Sequence, residues 1–133
     1  VIPRATIAEA LEVGADDLPP GDLPIARFAE RFLGALASED EMDAWTVDVF
    51  HHLVTAAPDL ALAALLTCLE KAPDQAQSLG EGPLTDLLTR SGADVMSGIE
   101  AAKRPALTRA LQAADISEIE HPFLLARIEA ARG

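Results

Sequence analysis

Tyrosine is missing from this sequence, cysteine and tryptophan occur once each, and aromatic residues make up only 4%. A lone thiol, Cys68, cannot close an internal disulfide, which excludes a disulfide-built scaffold. With so few aromatics the apolar mass falls to Ala and Leu, both strong helix formers. Runs of β-branched residues are lacking too, so there is little from which to build a sheet. The longest predominantly apolar stretch, Leu60 to Leu69, falls well short of the roughly 20 residues a membrane-spanning helix needs. No basic stretch followed by an apolar run stands at the start, so no secretory signal is read and a cytoplasmic location is expected. Positive charge is also scarce. Ten Lys and Arg stand against 22 Asp and Glu, a net charge of −12. That balance argues against direct nucleic-acid binding, which needs cations to displace counterions from phosphates. It argues equally against anionic membrane surfaces.

What is present is a chain of 133 residues, half of them hydrophobic. That length suits one domain and its composition excludes general disorder. The chain is read as a single helical domain over 1–133, with an N-terminal helix and loop over 1–21 and a helical core over 22–133. Thr6 and Glu9 read as a capping box opening a first helix that stops near Gly14. Asp16, Asp17, Pro19, Pro20 and Gly21 then mark a loop. Ile25, Phe28, Phe32 and Leu36 form a helical stripe after Asp22. Ser38 and Glu41 read as a second capping box, opening a helix with Met42, Trp45, Val49, Phe50 and Leu53 on its apolar face. Pro58 opens a helix that is apolar nearly all round to Leu69, the signature of a central, buried element.

Beyond it, Asp74 to Leu79 suggests one helical turn and Gly80-Glu81-Gly82 a tight connection. Pro83 opens a helix bearing Leu84, Leu87 and Leu88, closed at Ser91-Gly92. Val95, Met96 and Ile99 mark the next, Pro105 opens another, and Pro122 the last. The expected fold is all-α: an irregular bundle of eight or nine short helices, stacked as hairpins with a solenoid-like character.

Few residues carry chemistry. Asp48 and His52 share a helical face and His51 lies beside them, the only spacing suggestive of a metal site or acid/base pair. Three ligands at most are too few for a closed zinc site, and a solvated polar face with favourable dipole placement explains the histidines as well. Cys68 sits in the most apolar helix and reads as a structural thiol. Lys103, Arg104 and Arg109 form a small basic patch that helix-end electrostatics accounts for. Phosphate loops, nucleophile elbows and paired Cys motifs are absent.

From Trp45 to about Leu111 the chain resembles a bacterial family of small helical domains of unknown function. The likeness rests on the Trp45 helix, Ala57-Pro58-Asp59, Ala72-Pro73-Asp74, and above all the segment Leu79 to Leu88 with Gly92 and Ile99-Glu100-Ala101. It implies a helical fold and brings no activity.

Taken together, the residues point to a non-enzymatic protein-interaction module with no catalytic residue, metal or cofactor. The acids are unevenly spread: residues 1–59 hold twelve against three bases, residues 60–133 ten against seven. A basic protein partner is therefore expected, met through Glu39, Asp40, Asp43 and Asp48, as an acidic inhibitor or immunity-type protein would do. An adaptor or regulatory subunit, a DNA-mimic inhibitor and a weak metal-dependent enzyme on the Asp48/His52 face are the rival readings. A homodimer is compatible with the sequence.

Overall fold

A computed structural model describes residues 1–38 and 41–133. Among them the chain is all-helical. The helices are α1 (Arg4–Leu11), α2 (Ile25–Ala37), α3 (Trp45–Ala56), α4 (Pro58–Lys71), the single turn α5 (Ala76–Leu79), α6 (Thr85–Ala102), α7 (Pro105–Ala113) and α8 (Pro122–Arg132). Seven of these have eight residues or more, not the eight or nine expected. The count differs because the stretches on either side of Ser91-Gly92 form one element, α6. The expected break is there nonetheless: Ser91 leaves helical geometry, with φ −144° and ψ 28°, and two helical stretches meet across a kink. The Ser91 hydroxyl donates to the Val54 carbonyl at 2.6 Å, which ties the kink to α3. No strand forms among the described residues; Ile2 and Leu23 make one isolated antiparallel bridge.

The helix α4 is the hub. It packs against α2, α3 and α6 on its main faces and touches α5 and α7. Ala61, Leu62, Ala64, Leu65, Cys68 and Leu69 are all buried, as an all-round apolar helix requires. Leu66 is only half-buried, since one flank of α4 has no covering element. Many of the packing partners lie two places apart in the chain: α1 with α3, α2 with α4, α4 with α6, α6 with α8. That weave departs from a solenoid-like stack of hairpins. Four of the five aromatic residues meet in one cluster: Phe28 and Phe32 stack at 5.7 Å, Phe32 and Phe50 at 4.9 Å, and Trp45 meets Phe28 edge-on at 6.3 Å. Leu36, expected on the same stripe, is exposed instead, and Ala29 is buried earlier along the helix.

Neither capping box forms. The helix α1 starts two residues before Thr6, and its first amide, Arg4 N–H, donates to Asp22 Oδ1 at 3.0 Å. An acid far along the chain outcompetes the local cap. Ser38 ends α2 rather than opening α3, its hydroxyl donating back to the Gly34 carbonyl at 2.9 Å. The next helix proper begins only at Trp45, after a short turn over Glu41–Asp43.

The segment Gly80–Leu84 is not a tight connection but a π-helical turn, with Pro83 inside it. The wider turn accommodates a residue that has no amide to donate. Thr85 closes the gap: its hydroxyl donates to the Gly80 carbonyl at 2.8 Å and accepts from the Asp115 amide at 2.9 Å. Gly80 is buried against α7, where a Cβ would overlap the Ala110 carbonyl.

Candidate functional site

The residues with chemistry gather around a shallow polar cleft between the end of α1 and the middle of α3. Glu9, Glu12, Asp48, His51, His52 and Arg90 line its roughly 500 Å³. The periodicity of α3 puts Asp48, His51 and His52 on one side, as the sequence spacing requires. Their side chains nevertheless diverge. His51 turns to α6, with Nδ1 3.4 Å from Asp86 Oδ2. Arg90 Nη1 lies within 3.2 Å of both His51 ring nitrogens and donates to the His51 carbonyl at 3.2 Å. His52 turns to α1, where Nε2 stands 3.6 Å from Glu9 Oε2, buried and without a hydrogen bond.

The histidines therefore face the two neighbouring helices, and their imidazoles do not converge on Asp48. Among the described residues no group of three or more His, Cys, Asp or Glu is placed to share a metal ion. Sequence spacing could not show this, because the competing partners Glu9, Asp86 and Arg90 come from other helices.

The four acids expected to meet a partner fare differently. Glu39 and Asp40 lie outside the described residues. Asp43 is largely covered, its side chain 16% exposed, and Arg31 Nη1 reaches it at 3.7 Å. An acid engaged inside the fold in this way is not a free contact for a partner. Asp48 is exposed on the cleft and has no ion pair or hydrogen bond among the described residues.

Glu12 is the residue that sequence reasoning missed. The helix α1 ends with Glu12 in the left-handed conformation, φ 57° and ψ 41°, the only non-glycine at positive φ among the described residues. Gly14, the expected stop, has an ordinary φ of −72°. Left-handed backbone costs an L-residue roughly 1–2 kcal/mol, which is why glycine usually fills such C-cap positions. Here the glutamate is exposed at the cleft edge, and its carboxylate makes no ion pair or hydrogen bond among the described residues.

Arg104 pairs with Glu70, and Arg109 donates to the Pro73 carbonyl at 3.2 Å, so two of the three cations of the basic patch serve the fold. Burial pushes the Cys68 thiol up to about 12, slightly opposed by Lys71. Among the described residues no helix is long and apolar enough to cross a membrane. No family model, curated protein or solved structure matches the chain.

Proposed function

We propose that this domain is a non-enzymatic interaction module that binds a basic protein partner through the acid-lined cleft of Glu9, Glu12 and Asp48. Kinship with the bacterial helical-domain family belongs to the same proposal. One observation carries the reading: a glutamate occupies the strained left-handed end of α1, where glycine would fit better, beside an unpartnered aspartate. Strain retained at an exposed charged residue is a pointer to use rather than to stability. Glu9 contributes at the inner end, held toward His52. A Lys or Arg of a partner entering this cleft meets two free carboxylates and a third already oriented. The surplus negative charge of the chain adds long-range attraction that speeds encounter.

The test starts with the full chain as bait in a pull-down, which supplies the partner. Association rates are then measured against salt for the native chain and for a Glu12→Gly/Asp48→Asn variant. Association of the variant should be several-fold slower at low salt and less salt-dependent. Its stability should be unchanged or raised by up to about 1 kcal/mol, because glycine relieves the left-handed strain. Unchanged rates and unchanged salt dependence would remove the cleft from the interface. Asp43→Asn is the control and should leave association untouched.

A further inference from the structure

We propose that a second depression, the apolar groove between α1 and the segment Leu18–Leu23, receives one large apolar side chain of that same basic partner, flanked in the partner by Lys or Arg. This rests on the reading of the acid-lined cleft and adds the anchoring residue.

The groove is built by long-range pairing. Ile2 and Leu23 exchange backbone hydrogen bonds at 2.8 and 2.9 Å, and Asp22 caps α1. Arg4 Nη2 donates to the Leu18 carbonyl at 3.0 Å, clamping the far end of the segment to the same helix. Between these ties the chain arches through Pro19, Pro20 and Gly21, whose φ of +98° only glycine takes without strain. The arch stands off α1 and leaves about 470 Å³ lined by Ile7, Leu11, Leu18, Leu23 and Trp45. That is within the roughly 300–1,000 Å³ typical of sites for compact apolar groups. Two prolines and three hydrogen-bonded ties fix the wall in advance, so little ordering is needed on binding. Trp45 is half-buried, with Phe28 against it on the core side. An aromatic residue in such a setting is a frequent binding hot spot.

The occupant follows from charge and from continuity. Leu11 lines both the groove and the acid-lined cleft, so one partner segment can cross from one to the other. Asp22 stands on the groove edge, and exposed Asp16 and Asp17 lie in the turn just before Leu18. The one cation in the wall, Arg4, donates through Nη2 to the Leu18 carbonyl, while its Nε is buried without a hydrogen bond. An apolar side chain entering here has the Asp22 carboxylate at its edge and the acid-lined cleft beyond Leu11, which selects a neighbouring Lys or Arg and repels acidic segments.

A phage-displayed library of random 12-residue peptides, selected on the immobilised full chain, tests this without a known partner. Enriched peptides should carry Leu, Phe or Met next to Lys or Arg. Synthetic Trp-free versions should shift the fluorescence of Trp45, the single tryptophan. Replacing the apolar residue by Ala should weaken binding at least tenfold, and Leu18→Lys in the chain should do the same. Pro20→Lys, on the exposed edge and away from the core, serves where Leu18→Lys lowers helicity by circular dichroism. Basic peptides that bind regardless of the Ala replacement would overturn the groove while keeping the acid-lined cleft. Apolar peptides that bind equally with Glu in place of Lys would overturn the basic partner. A library with no enrichment, or a groove that instead pairs two copies of the chain in sedimentation, would also overturn the proposal.

Discussion

Cys68 illustrates how a single residue's chemistry is set by its neighbours. Fully buried in α4, its Sγ lies 3.9 Å from the Ala29 carbonyl, and burial holds the thiol protonated far above neutral pH. The thiolate is the reactive form, so modification requires opening of the fold. In native buffer a thiol reagent should label Cys68 no faster than the protein unfolds, and denaturant should make labelling immediate. Rapid labelling of folded protein, followed by absorbance, would contradict the packing of α2 on α4. Glu12 makes the converse point. Its identity gives no hint of a special backbone; only the path of the chain after α1 puts it in the left-handed region.

At the scale of elements, the π-helical turn at Gly80–Leu84 separates two glycines that look alike in sequence. Gly80 meets the Ala110 backbone, whereas a Cβ at Gly82 would have nothing within 4 Å. Gly80→Ala should therefore cost on the order of 1–3 kcal/mol through forced displacement of α7. Gly82→Ala should be neutral or stabilising by about 0.4–1 kcal/mol, because it restricts the unfolded chain. Urea unfolding of both variants checks the sign of each effect. The helix α4 supplies a second contrast. Leu65 is fully buried and Leu66 half-exposed, although both stand in the same apolar run. Leu65→Ala should lose about 2–5 kcal/mol and Leu66→Ala clearly less. Equal losses would mean that α4 is covered on every side.

Across the whole molecule, acids outnumber bases, and the cations present are mostly committed to acids. Lys71 donates to Glu30, with Arg27 adding to the effect, and Arg127 donates to Glu100; both carboxyls are held below the usual value of 4.5. A depressed carboxyl contributes stability that is present above its unfolded pKa and lost as pH falls through its lower folded value. Thermal stability should therefore fall on acidification below about 4.5, the ordinary glutamate value, because these pairs are lost. Protonating the other carboxylates relieves self-repulsion and acts in the opposite sense. A Glu30→Gln/Glu100→Gln variant isolates the pairs, and its melting temperature should fall less steeply on the acid side. An identical pH profile for variant and native chain would show that the pairs contribute nothing measurable. Both are solvent-exposed, so salt should also narrow the difference.

Composition and spacing by themselves determined that the chain is helical and acidic, and that α4 is central. Ala and Leu favour helix locally, the apolar run of α4 cannot face water, and charge is a sum over residues. Spacing also put Asp48, His51 and His52 on one side of α3. Tertiary structure alone decided the rest. Asp22 rather than Thr6 caps α1, the two helical stretches that meet at Ser91 join across a kink, and Pro83 sits inside a π turn. The histidines are drawn apart by Glu9, Asp86 and Arg90, Asp43 is taken up by Arg31, and Glu12 is set beside Asp48. Each of these depends on a partner or a chain path outside the local pattern. A short-range sequence pattern encodes which face a residue occupies, but not which distant group competes for it there.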